Sequence, residues 1–178
     1  MPVITSQRLI LQPYTHSDAE AMAALHASAP VMQFMKDSRP LSVTEAAETF
    51  ARYLACWEEH GFSIFAVRLK SDGAFIGECG FWYRADKPGI SMRFLLHDTA
   101  WGMGYGWEMN EAATRWLFTE TDVMSFWAVT QSRNKGAVSV LRRLGGQITE
   151  TAHTGIEGLL RFDVTKSAWQ CAQDDTQD

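Results

Sequence analysis

Apolar residues fall along this chain in two periods, and the switches between them mark the elements. Residues 8–14, "RLILQPY", alternate as a short strand does. The alanine-rich run "DAEAMAALHAS" is helical by propensity. Ser17 and Glu20 stand at capping-box spacing before it, and Pro30 limits its extent. Ser42 and Glu45 open a second helix. Its Ala46, Phe50, Tyr53, Leu54 and Trp57 share one face at the helical period, and Gly61 stops it. Three strand-like runs follow, "FSIFAVRL", "AFIGECGFWY" and "ISMRFLL", separated by the turns "KSDG" and "RADKPG". Tyr105, Met109, Ala112, Ala113, Trp116 and Leu117 then make a helical stripe. A buried strand "VMSFWAVT", a short helix "NKGAVSVLRRLGG" and the runs "QITETAH" and "GLLRFDVTK", able to form a hairpin, complete the order β-α-α-β-β-β-α-β-α-β-β. This is an α+β domain whose central sheet is mixed and mostly antiparallel. The strand–helix–strand portion of the second half is expected to be a right-handed, locally parallel crossover.

With 178 residues, the chain is long enough for one domain with one sizeable core, expected over residues 1–170, followed by a polar tail at 171–178. The net charge of −5 argues against nucleic acid as partner, because phosphate binding wants a basic field. Cys56, Cys79 and Cys171 fit neither a disulfide framework nor a zinc pair, so a reducing cytoplasm is the plain reading. The five histidines lack ligand spacing, and no metal is expected. The N-terminus reads as no signal peptide, and no apolar run approaches the roughly 18–20 residues of a membrane span.

The densest candidate chemistry lies in "HDTAWGMGYGWEMNEAATRWLF", residues 97–118. Gly102, Gly104 and Gly106 alternate directly between a strand and a helix. A helix start leaves backbone N–H groups without partners and carries partial positive charge. Glycine lets an anion approach that backbone, so the turn is a candidate phosphate cradle; a turn shaped for geometry alone is the plainer alternative. Neither the P-loop pattern nor the dinucleotide fingerprint fits, since Trp107 stands where the latter needs glycine.

The stretch does resemble the pyrophosphate motif of the GNAT superfamily of acyl-CoA N-acyltransferases. Gly104 and Gly106 take its two small-residue positions, and Trp101 stands where Gln or Arg is usual. "WGMGYGWEMNEA" is more closely similar to the WGxGYAxEA form of the branch related to RimJ and RimL, ribosomal-protein N-terminal acetyltransferases. "NKGAVSVLRRLGG" resembles a second family block through Asn134, Ala137, Leu141, Leu144 and Gly145, with Gly146 in place of the usual Phe. "TSQRLILQPYTHSDAEAM" and "AFIGECGF" resemble two more, so the likeness spans residues 5–166.

The resemblance implies a splayed pair of parallel strands, one ending near Leu96 and one containing Trp127, with acetyl-CoA between them as cosubstrate. The pantetheine arm is expected along Phe94, Leu95 and Leu96. The diphosphate is expected on the amides of Trp101, Gly102, Met103, Gly104, Tyr105, Gly106 and Trp107, with Asn134 and Ala137 beside the thiol end. An acetyl group would pass directly to a primary amine, and an N–H near Phe94 or Leu95 would hold the oxyanion. The branch resemblance implies a peptide or protein N-terminus as the acceptor. A small amine (amino acid, polyamine or antibiotic) is the alternative, as is a catalytically silent acyl-CoA-binding module. Many members use a Tyr as general acid where this chain has Leu141. Glu78, His97 and Ser139 are the candidate proton carriers; a solvent-facing strand residue, a structural strand end and a surface serine are the plain readings of the three. Water or a backbone carbonyl is a further option. Glu108 reads as a partner of the helix dipole, and Trp82 and Tyr83 as candidate walls of the acceptor pocket. Dimers are common in that branch, so a homodimer is one candidate assembly.

Overall fold

The computed structural model describes residues 1–35, 37–84 and 87–174. The turn expected at 84–89 lies partly outside these residues, as do Lys36 and residues 175–178 of the tail. The elements are β1 (Ile4–Thr5), β2 (Leu9–Pro13), α1 (Ala19–Ala27), α2 (Ala29–Met32), α3 (Val43–His60), β3 (Ile64–Leu69), β4 (Phe75–Arg84) and β5 (Lys87–Leu96). They continue as α4 (Tyr105–Glu120), β6 (Ser125–Gln131), α5 (Lys135–Arg143), β7 (Gln147–Glu150), β8 (Leu159–Thr165) and α6 (Lys166–Asp174). One eight-stranded sheet runs β1-β2-β3-β4-β5-β6-β8-β7. Its neighbours are antiparallel except β5 and β6, which are parallel. The mixed, mostly antiparallel sheet with flanking helices is therefore the architecture the periodicity implied.

Helices cover both faces, which is why "IFAV" in β3 is apolar throughout rather than alternating. Phe65 and Val67 join Cys79, Phe81, Met92, Met109, Leu117 and Phe162 on the face of α4 and α5. Ile64 and Ala66 face the other way, with Tyr14, Phe50, Tyr53 and Trp82 under α3. Leu95 lies on that second face with Leu25, Val31 and Met32 of α1 and α2.

Local chemistry sets several boundaries. Ser42 Oγ accepts from the Glu45 N–H, Glu45 returns a bond to the Ser42 N–H, and Gly61 ends α3 at φ 72°. The first capping box is formed by Thr15 and Asp18 rather than Ser17 and Glu20, because a 3₁₀ turn over His16–Asp18 precedes α1. Pro30 opens the short α2 instead of merely ending α1; proline tolerates a first helical turn, where its missing N–H has no intrahelical partner. Toward the C-terminus, the expected strand stops at Thr165. The polar stretch from Cys171, read as a tail, is helical as far as Asp174, in a helix anchored by buried Trp169.

β4 and β5 approach so closely at Gly77 that a Cβ there would lie 2.3 Å from the Leu95 carbonyl oxygen. Gly77→Ala is expected to lower the thermal midpoint by several degrees, since such overpacking costs about 1–3 kcal/mol. Calorimetry checks this, and an unchanged midpoint would show that the strands can part there.

Candidate functional site

β5 and β6 share one register pair, Ser91 with Trp127, and then splay apart. The opening is a cleft of about 580 Å³. The His97 N–H donates to the Ile76 carbonyl at 2.9 Å, and Leu95 pairs with Glu78. Main-chain groups alternate along an antiparallel strand. Leu95 and Arg93 therefore turn theirs toward β4, while Phe94 and Leu96 turn theirs into the gap. The Leu96 carbonyl already accepts from Trp101 Nε1 at 2.8 Å. Trp101 thus closes the far end of this edge, which is what an indole can do at a position where the resembled motif carries Gln or Arg. Phe94 is left as the open main-chain position, and of Phe94 and Leu95 its N–H is the one aimed at the cleft.

The glycine turn lies at the wide end. Gly102 and Gly104 take the left-handed conformation at φ 74° and 81°, which only glycine adopts without strain. Gly104 is the N-cap of α4, and no side chain caps it. The first backbone bond of that helix runs from the Glu108 N–H to the Gly104 carbonyl, 3.2 Å. Among the described residues, the amides from Gly102 to Trp107 have no intramolecular acceptor. A Cβ at Gly102 or Gly106 would meet nothing within 4 Å, so space stands open in front of them. Unpaired amides, the positive end of a helix and room together suit an anion such as a diphosphate.

The turn is braced from behind. Glu108 accepts from Ser6 Oγ at 2.7 Å, the Arg8 N–H at 2.6 Å and Arg8 Nε at 2.7 Å. Arg8 Nη1 in turn donates to the Met103 carbonyl. Although burial would raise the Glu108 carboxyl, these donors hold it below its ordinary range. Glu108 therefore ties β2 to the start of α4, in addition to complementing the dipole.

Of the other expected cofactor contacts, Phe94, Leu95, Leu96, Trp101, Gly102, Gly104, Gly106, Trp107, Asn134 and Ala137 line the cleft. Met103 and Tyr105 do not; they contribute their backbone to the turn, Met103 being exposed and Tyr105 packed beneath the Arg8 guanidinium. Asn134 caps α5 by accepting from the Ala137 N–H at 3.1 Å. Of the three candidate proton carriers, only Ser139 lines the cleft. His97 stacks edge-to-face on Phe75 beyond the strand end. Trp82 lines the cleft, whereas Tyr83 packs against His60.

Glu78 is not solvent-facing: it is fully buried beneath α1 and α3. Tyr14 donates to its Oε2 at 2.8 Å and Tyr53 to its Oε1 at 3.1 Å. His26 Nε2 lies 2.9 Å from Oε1 and Arg93 Nε 3.3 Å. Burial alone would raise this carboxyl; the His26, Arg93 and Tyr14 partners outweigh it and hold it at about 2. A carboxylate so saturated is a weak base. Sequence reasoning missed Arg93, whose signal is a lone charge inside the buried run "ISMRFLL". It also missed His153, which lines the cleft beside Trp127 from a 3₁₀ turn and gives no periodic signal. Cys79 is a buried core residue. Among the described residues no group of three or more His, Cys, Asp or Glu is placed to hold a metal ion, and no helix is long and apolar enough to cross a membrane.

A family model for the acetyltransferase (GNAT) domain matches residues 8–147. An acetyltransferase from Agrobacterium tumefaciens has a similar structure, with TM-score 0.80 and 22% identity over 93% of this chain and 95% of that one. So does RimL, a ribosomal L7/L12 α-N-protein acetyltransferase in complex with coenzyme A, with TM-score 0.76 and 14% identity over 94% and 99%. Mycobacterium smegmatis RimJ in complex with a CoA disulfide gives TM-score 0.70 and 16% identity over 94% and 89%. At these identities the likeness is one of fold.

Proposed function

Because the chain belongs to the GNAT acetyltransferase family, we propose that it moves an acetyl group from acetyl-CoA directly to a primary amine, the α-amino group of a peptide or protein. The observation that carries this reading is the row of unpaired amides from Gly102 to Trp107 at the mouth of a cleft between two splayed strands. The diphosphate would rest on those amides and the pantetheine arm against Phe94. The thioester would then lie toward the Ser91–Trp127 end. There the Phe94 N–H stabilises the oxyanion that forms as the amine attacks, an effect worth about 3 kcal/mol for one donor. Holding donor and acceptor in one cleft supplies much of the remaining rate.

The charges along the cleft bear on the acceptor. Among the described residues its lining carries Arg93, Lys135 and Arg143 and no carboxylate. Polycationic acceptors such as polyamines find no counter-charge there. An α-amine with an apolar or neutral neighbour does find a match in the walls of Val31, Phe34, Met35 and Trp82. Similar folds in RimL and RimJ, the first of them named as a ribosomal-protein α-N-acetyltransferase, agree with an N-terminal acceptor.

Thiol release from acetyl-CoA, followed over N-terminal peptides, free amino acids and polyamines, tests this. Release with peptides above the amine-free background is expected. Release only with a small amine would move the acceptor to the other class, and coenzyme A binding without release on any of them would leave the acyl-CoA-binding module.

A further inference from the structure

We propose that His153, held by Glu150, is the general base that deprotonates the acceptor amine; this rests on the transfer reading above. An α-amino group has an ordinary pKa of about 8, so at neutral pH the acceptor arrives mostly as an ammonium ion and must lose a proton before it attacks. Glu78 does not line the cleft, and both its oxygens are occupied. The remaining ionisable groups on the described lining are Arg93, Lys135 and Arg143, which are cations, and His153. An imidazole is the side chain whose protonation changes in the neutral range.

The geometry suits the role. His153 Nδ1 lies 2.6 Å from Glu150 Oε2. With Nδ1–H donating to that carboxylate, Nε2 on the opposite side of the ring carries the lone pair. The ring stands 6.2 Å from that of Trp127, the residue paired with Ser91 where the strands meet. The side chain is 7% exposed, and the cleft is what it borders. Other charged groups face it from β8. Asp163 lies close enough to interact with it electrostatically, and Arg161 pairs with Asp163 while covering the Trp127 ring. Glu150 is thus a positioning residue that fixes the tautomer and the orientation of the ring.

The step balances as follows. His153 Nε2 takes one proton from the ammonium, freeing the nitrogen lone pair. The C–N bond forms at the thioester carbon, and the Phe94 N–H holds the oxyanion. Collapse breaks the C–S bond, and the second nitrogen proton leaves with the CoA thiolate to give the free thiol. Imidazolium then returns its proton to solvent.

The test uses the full chain with acetyl-CoA and the best acceptor of the panel above. His153→Ala is expected to lower kcat about 100-fold at pH 7 while leaving coenzyme A affinity unchanged by calorimetry. Added imidazole, or a rise in pH toward the pKa of the amine, is expected to restore part of the rate. Glu150→Gln is expected to lower kcat about 10-fold while the acceptor KM and coenzyme A affinity stay near wild type, a split that a merely structural role would not give. A wild-type kcat and profile in His153→Ala would overturn the proposal. So would a loss that neither imidazole nor high pH restores while coenzyme A still binds. Wild-type protein that releases no thiol with any acceptor would reject the transfer reading itself, and the proposal with it.

Discussion

Gly106→Glu is expected to weaken coenzyme A binding at least 100-fold, measured by calorimetry, with no fall in the thermal midpoint. Gly106 sits in the first turn of α4, and a Cβ there would enter open space. Replacing glycine inside a helix stabilises it by up to about 1 kcal/mol, and an acidic side chain in the first turn complements the dipole. The folded state therefore loses nothing. The new carboxylate, however, occupies the ground an incoming diphosphate needs and repels it. A 100-fold loss corresponds to about 2.7 kcal/mol. Gly106→Ala, which adds one methyl and no charge, should bind within a few-fold of wild type. Gly104 is a poorer probe. Its φ of 81°, and an Arg8 Nη2 atom that would lie 3.3 Å from any Cβ added there, would mix backbone strain with lost binding. Wild-type affinity in Gly106→Glu, with the fold intact, would remove the anion cradle and the functional reading built on it.

Glu78→Ala should unfold far more easily, by about 3–5 kcal/mol, which for a chain of this length is on the order of 10 °C in the thermal midpoint. Removing the carboxylate leaves Arg93 without its buried counter-charge. It also strips the acceptor from Tyr14, Tyr53 and His26 at once. The same cluster fixes a pH dependence. The folded carboxyl titrates at about 2 against an ordinary 4.5, so between these values the unfolded chain binds the extra proton. Its contribution, about 3 kcal/mol, is present above pH 4.5 and drains away as the pH falls from 4.5 through 2. Urea titrations across that range should show the wild type losing stability faster than Glu78→Ala. Parallel curves would mean that Glu78 carries no such linkage.

Much of the framework could be read from local pattern. The box of Ser42 and Glu45, the doubly buried "IFAV" and the uncapped turn before α4 each depend on residues within a few positions of one another. The Glu78 cluster does not. Its partners come from the end of β2, from α1, from α3 and from β5, with Tyr14 64 residues away and His26 52. A lone carboxylate in a strand looks the same whether it faces solvent or such a group, until the fold closes. Arg93 was the matching oddity in the next strand, and pairing the two misplaced charges would have pointed to burial. His153 gave no such hint, because one histidine in an irregular turn has no period. The C-terminal helix was hidden by its polar composition, since a single tryptophan docks it.

One side of the cleft presents main-chain groups: the Phe94 edge and the bare amides at 102–107. What a sequence must preserve there is conformation, supplied by a few glycines and by a bare Gly77 that lets β5 sit tight against its neighbour. The opposite walls are side chains, Phe34, Met35, Trp82 and Arg93, and on the transfer reading it is there, not along the main chain, that one amine would be told from another.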